Sequence, residues 1–272
     1  VALPMTASAQ ATASFTGSVA ARGGEAVQFE DAAAQLDADI AMTAADTPGL
    51  PLTPDAVAGD ARASRAAGAA CLHIHPRDAM GRESLAPPDV AAHLSAVRMA
   101  VPGMAVGIST GDWIRPRAGR LEDMDGWTVL PDYVSVNLEE ADAPEVLALM
   151  GRLGIGVELG LATGADLDRL LSLPATLWHG AVRIMIEMNA GTLDRAMPVA
   201  RRILDRLRQE APDLPILLHG FDATAWDFVA AARDLGCDTR IGLEDCLYLP
   251  DGRAAGNGAL VAAAARTLGL DA

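Results

Sequence analysis

A chain of 272 residues, 51% hydrophobic and 4% aromatic, is long enough for one α/β barrel and too apolar for a disordered protein. Its formal net charge of −15 disfavours nucleic acid and anionic membranes as partners, although a local arginine or metal can still hold an anionic substrate. No lysine occurs, so every basic side chain is Arg and a Schiff-base lysine mechanism is excluded.

Residues 1 to about 36 are rich in Ala, Ser, Thr and Gly without a sustained apolar period, and read as an N-terminal extension preceding a single domain over 37–272. Ala7-Ser8-Ala9-Gln10-Ala11 resembles a signal-peptidase site but lacks the basic and apolar segments that should precede it. Cys71, Cys237 and Cys246 form no C-x-x-C pair, so free thiols in a reducing, cytoplasmic setting are expected rather than disulfides.

From Asp37 a rhythm begins. Ala38–Thr43 reads as a first strand, and Thr53-Pro54-Asp55 opens a helix with Thr53 as N-cap and Pro54 at its first position, stopping at Gly68. Further strand-like runs end near His75, Ser109, Asn137, Glu158, Glu187, His219 and Glu244. Helical patterns separate them at Pro88–Ala100, Ala143–Leu153, Ala165–Leu173, Leu193–Glu210, Ala223–Leu235 and Gly258–Leu268, while the interval after Ser109 is the least clear, its polar Arg117–Asp125 leaving room only for a short helix. Eight βα units in about 235 residues predict an α/β fold of the (β/α)8 TIM-barrel type, with parallel strands and right-handed crossovers.

In such a barrel the chemistry lies at the carboxyl ends of the strands, and here the polar residues gather there. His73 and His75 stand two apart, so both imidazoles leave one strand face, a pairing that suits Zn²⁺. Catalytic zinc takes three protein ligands, and Glu244, on the expected last strand, is the candidate third. Asp245 beside it is the candidate base, oriented by Arg240 if the chain turns between them. Thr110 is a further strand-end candidate for substrate contact, Glu158 and Glu187 are inward carboxylates either of which positions substrate or pairs with an arginine, and His219 is a candidate fourth ligand or substrate partner. Trp113, Ile114, Trp127 and Leu130 are expected to be exposed and to mark contacts of a homo-oligomer.

Pro51-Leu52-Thr53-Pro54, His73-Ile74-His75-Pro76-Arg77-Asp78 with Gly81-Arg82-Glu83-Ser84-Leu85, Ile108-Ser109-Thr110-Gly111, Val134-Ser135-Val136-Asn137, Leu217-Leu218-His219-Gly220 and Thr239-Arg240-Ile241-Gly242-Leu243-Glu244-Asp245 together resemble the β-keto acid cleavage enzyme family. The resemblance implies a zinc-dependent TIM barrel in which a β-keto acid and acetyl-CoA give acetoacetate and a new acyl-CoA. It implies that His73, His75 and Glu244 bind zinc, that Ser109 and Arg240 hold the base Asp245, and that Asn137 lines the substrate pocket. The first βα loop, Thr43 to Gly49, is shorter than in the family, and Asp46 is the candidate for its substrate-selecting position. A zinc hydrolase of the amidohydrolase type is the competing enzyme class, since it too places His-x-His at a barrel strand end. It would need histidines on the fifth and sixth expected strands, which end here in Glu158 and Glu187. A non-catalytic metal-binding barrel is the third reading.

Overall fold

The computed structural model describes residues 49–189 and 191–270. The expected first strand at 38–43, the N-terminal extension and Asp46 lie outside the described residues. Helix α1, Pro54–Ala66, begins as expected: the Thr53 hydroxyl accepts from Ala56 N at 3.3 Å, and Pro54 loses no helical hydrogen bond at the first position. Gly68, at φ +100°, makes the reversal that feeds the first described strand.

Six strands follow: β1 Cys71–Ile74, β2 Ala105–Ser109, β3 Tyr133–Asn137, β4 Gly156–Leu161, β5 Arg183–Met188 and β6 Ile216–Gly220. All pair in parallel in the order β1-β2-β3-β4-β5-β6. Between them lie α2 Pro87–Ala100, α3 Arg117–Asp125, α4 Ala143–Leu153, α5 Gly164–Ser172 and α6 Leu193–Glu210, with α7 Ala225–Asp234 and α8 Asn257–Leu268 after β6. Each connection is a βα crossover, the pattern of a (β/α)8 barrel. Outward residues such as Leu72, Ile74, Val106, Ile108, Val134 and Val136 are fully buried in the apolar core that includes α2 and α4 side chains.

The sheet is curled. Four strand spacings of about 4.8 Å would separate β1 from β5 by roughly 19 Å in a flat sheet. Yet Arg183 of β5 reaches Cys71 of β1, with Nη2 3.5 Å from Sγ. The same guanidinium lies 3.4 Å from the Tyr133 hydroxyl of β3 and pairs with Glu158 of β4. Tyr133 in turn crosses Gly107, where a Cβ would sit 2.1 Å from its ring, and donates to Leu72 O at 2.8 Å. These inward groups form the polar floor of the barrel.

That floor corrects one expectation. Glu158 is the third residue of β4, near its amino end, 1% exposed and paired with Arg183, so it lies on the floor rather than at the mouth. A second correction concerns the last expected strand. Only Asp238 pairs with β6, through a single bridge to Leu217 flanked by Asp238 N to Ile216 O at 2.7 Å and Leu218 N to Asp238 O at 2.8 Å. The chain then turns at Gly242, whose carbonyl accepts from both Asp245 N (2.9 Å) and Cys246 N (2.8 Å). Trp127, expected on the surface, is 6% exposed because its indole N–H donates to Leu85 O at 2.8 Å.

Candidate active site

The two histidines leave β1 at its carboxyl end, where Pro76 stops the pairing. Residues 76–84 fold back as a small hairpin: Asp78 N donates to Arg82 O and Ser84 N to Pro76 O, both at 2.8 Å, with Gly81 at φ +79° in the turn. Opposite them, the turn at 242–246 is anchored from α8. Asn257 Oδ1 accepts from Leu243 N at 2.9 Å, while its amide donates to Asp60 of α1 at 2.6 Å.

These two segments bring His73, His75 and Glu244 together, with one ligand-capable atom from each within 4.8 Å of the others. His73 Nε2 and His75 Nε2 are 3.3 Å apart, and His75 Nε2 is 3.5 Å from Glu244 Oε1. Two zinc–nitrogen bonds of about 2.0–2.1 Å at a tetrahedral angle put their nitrogens about 3.3–3.4 Å apart, so the imidazole spacing fits the ion. Burial, then the nearby Arg240, hold His73 well below the usual imidazole range, leaving it neutral and able to ligate. Burial opposes charge on His75 too, but Glu83 and Glu244 outweigh it and hold it at about 10. Burial pushes the Glu244 carboxyl up, and Arg240 with His75 overcomes this and keeps it well below the carboxylate range.

Arg240 and Asp245 lie at the centre of the remaining network, 2% and 0% exposed. The turn lets one guanidinium reach both carboxylates. Nε lies 3.1 Å from Asp245 Oδ1, and Nη2 pairs with Glu244 Oε2. Burial pushes this guanidinium down, and Asp245 and Glu244 hold it above its ordinary value. His219, at the end of β6, completes the set: its Nδ1 is 3.2 Å from Asp245 Oδ1 and its Nε2 is 3.7 Å from Glu187 Oε2. Burial and Arg240 lower its pKa, but Asp245 and Glu187 raise it further. His219 therefore joins the Asp245 cluster, and among the described residues the metal-capable group is His73, His75 and Glu244.

Three other expectations separate here. Ser109 does not touch Asp245; its Oγ lies 3.4 Å from Gly111 N, and the place given to it is held by His219. Thr110 is fully buried with its hydroxyl donating to Ser135 O at 2.6 Å, which ties the end of β2 to β3. Asn137 stays half-buried at the end of β3 beside Glu187; a Cβ on Gly160 would lie 2.6 Å from Asn137 Oδ1 and 3.1 Å from Glu187 Oε1. Two residues escaped sequence reasoning as site members. Glu83 Oε2 lies 3.1 Å from His75 Nδ1, and the Trp113 indole donates to the same oxygen at 3.0 Å. Glu83 stood within the motif but carried no role, because nothing in the sequence shows that the hairpin folds it back onto His75.

Parallel strands in barrel order, with two histidines and a carboxylate converging at the carboxyl-end mouth, define a TIM-barrel protein with a candidate metal site. The family model for beta-keto acid cleavage enzymes matches residues 40–270. The chain belongs to that family. A 3-oxoadipate:acetyl-CoA acetyltransferase from Cupriavidus necator is 27% identical over 223 residues, covering 75% of this chain and 76% of that one. In fold the chain is similar to ObcA in its ternary complex with a C4-CoA adduct and oxalate, with a TM-score of 0.67 at 21% identity over 81% of the chain. It spans 64% of the ObcA chain, just under two thirds. A type I 3-dehydroquinate dehydratase from Clostridium difficile shares the fold with a TM-score of 0.58 at 13% identity, over 80% of this chain and 88% of that one.

Proposed function

We propose that this chain is a zinc-dependent β-keto acid cleavage enzyme, in which a β-keto acid reacts with acetyl-CoA to give acetoacetate and the CoA thioester of the remaining acyl fragment. The observation that carries this reading is the Arg240–Asp245 pair set directly beside the His73–His75–Glu244 cluster. Family membership supports the cleavage, and the acetyl-CoA named for the Cupriavidus relative, with the CoA adduct in ObcA, supports the co-substrate. His73, His75 and Glu244 would hold the zinc, and their spacing and the neutral state of His73 fit it. Bound there, zinc supplies Lewis acidity, polarising the keto oxygen and stabilising charge on the enolate.

The chain's own residues do the rest. Asp245 Oδ1 is held by Arg240 and His219, whereas Oδ2 is buried and, among the described residues, without a hydrogen-bond partner. Oδ2 takes the proton from the carbon between keto group and carboxylate. That carbon attacks the acetyl carbonyl, a carbon–carbon bond forms and CoA thiolate leaves. The thiolate then adds to the original keto carbon, the bond to the acetoacetate fragment breaks, Asp245 Oδ2 returns its proton to the carbanion so released, and acetoacetate and the new acyl-CoA depart. Arg240 supplies a fixed positive charge that offsets the anionic substrate within a chain of net charge −15. Asn137 and Glu187 line the mouth and select the acyl tail.

Solvent deuterium exchange into the substrate α-carbon, measured without acetyl-CoA, tests the first step alone. We expect exchange in the wild type and its loss in Asp245→Asn; undiminished exchange in the variant would move the base elsewhere. Cys71, Cys237 and Cys246 are all buried, and we read a reducing compartment for the chain. We also propose a homo-oligomer, with the exposed Met80 and Trp113 near the mouth as contact residues.

A further inference from the structure

We infer that Glu83 and Trp113 are positioning residues that lock the His75 imidazole for metal binding and couple the β2–α3 loop to the metal. The inference rests on the metal-dependent reading above. Its basis is geometric. Glu83 Oε2 meets two groups at once, His75 Nδ1 at 3.1 Å and the Trp113 indole nitrogen at 3.0 Å. Its other oxygen accepts from Arg77 Nη2 at 3.4 Å, and Arg77 Nη1 donates to Gly81 O at 2.8 Å within the same hairpin. Arg77 and Glu83 also pair through a backbone bridge, so the carboxylate has little freedom to swing away.

A carboxylate 3.1 Å from Nδ1 favours the proton there, and so the tautomer in which Nε2 is the free lone pair; Nε2 is the atom facing His73 and Glu244. Such a partner also raises the basicity of the ligating nitrogen. Trp113 adds a second tie from a different loop. Its ring lies over Gly111, where a Cβ would fall 2.2 Å from the ring, so that glycine makes the room the indole needs. The loop carrying Gly111 and Trp113 is held from behind: buried Arg120 donates to Thr110 O at 2.6 Å and to Glu140 at 2.5 Å, and Glu140 accepts from Asp112 N at 3.1 Å. A chain of contacts thus runs from the loop through Trp113 and Glu83 to His75.

The test uses the full chain, stripped of metal and titrated with Zn²⁺ against a chromophoric chelator, with circular dichroism confirming the fold of each variant. Glu83→Ala should weaken zinc by about 10–100-fold, the usual loss for an outer carboxylate partner. Glu83→Gln should weaken it less, because the amide oxygen still accepts from His75 Nδ1. Trp113→Phe removes the N–H and Gly111→Ala displaces the ring; each should weaken zinc by about 2- to 10-fold, the equilibrium equivalent of one hydrogen bond. With Co²⁺ in place of Zn²⁺, the visible absorption band should shift in Glu83→Gln and in Trp113→Phe, a change that a merely structural role would not produce. A folded Glu83→Ala that binds zinc within about twofold of wild type overturns the inference. If Glu83→Ala does not fold, unchanged zinc affinity and an unchanged Co²⁺ band in both Glu83→Gln and Trp113→Phe overturn it equally. A wild-type chain that takes up no zinc overturns the metal-dependent reading itself, and this inference with it.

Discussion

At Asp245 one oxygen is occupied and the other is free, and this asymmetry sets the expected behaviour of nearby variants. Asp245→Asn keeps the shape and the contact to Arg240 but removes the basic oxygen. Turnover should fall by about 10²–10⁴-fold, the usual share of general base catalysis, with zinc still bound. His75 gives a second prediction at this scale. Glu83 and Glu244 hold the metal-free imidazole protonated up to about 10, so at pH 7.5 a metal must displace that proton. Calorimetric titration in buffers of different ionisation enthalpy should show about one proton released per zinc bound, and His75→Ala should abolish both the release and most of the uptake. Glu158 behaves differently. Glu158→Ala removes the carboxylate that pairs with Arg183 in the barrel floor, and breaking a buried pair costs about 3–5 kcal/mol. Chemical denaturation should register that loss, whereas a Glu158 that bound substrate would show itself in KM.

At the scale of elements, two short segments outside the sheet make the site. The 76–84 hairpin carries Glu83 to His75, and the 242–246 turn carries Glu244 and Asp245 to Arg240. The turn is clamped by Asn257 at the first position of α8, whose amide joins Leu243 N to Asp60 on α1. Asn257→Ala leaves a buried backbone N–H and a carboxylate without this partner, at about 1–3 kcal/mol. We expect a lower Tm together with a kcat reduced by up to about 10²-fold, since small displacements of a reacting group are amplified in rate. A lower Tm with kcat unchanged would show that α8 supports the fold without aiming the turn.

For the whole molecule, barrel closure is what brings β1 against the segment after β6, and a metal bridging the two should stabilise the closed state. At 100 times its Kd a ligand specific to the native state adds about 2.7 kcal/mol. For a chain of this size that corresponds to a Tm rise of roughly 5–10 °C, which chelator should reverse. Thermal denaturation with and without zinc measures it, and an unchanged Tm would argue against a bridging metal. Light scattering should give a mass above the 28.1 kDa of one chain, and a value equal to it would refute the homo-oligomer.

The sequence by itself determined the local features. Periodic apolar runs placed α4 and α6 at their observed bounds, because that signal acts within one or two turns of chain, whereas the polar stretch that became α3 carried no such signal. Alternation put His73 on the inward face of β1, and Thr53 with Pro54 set the start of α1, for the same reason. The grouping of His73, His75 and Glu244, and the pairing of Arg240 with Asp245, were also legible, partly from strand-end polarity and partly from the family resemblance. Only the tertiary structure decided the rest. Glu158 and Glu187 read alike as strand-end carboxylates, yet β4 starts two residues before Glu158 and puts it on the floor, whereas Glu187 is the fifth residue of β5 and reaches the mouth. His219 likewise took the place beside Asp245 expected of Ser109, and Glu83 and Trp113 entered the site, through contacts between residues 26 to 30 positions apart or across a hairpin whose fold-back no local signal records. Which side chain meets which across a closed barrel depends on where each strand begins and how the sheet curls, and those quantities are fixed by packing of the whole chain rather than by any short stretch of it.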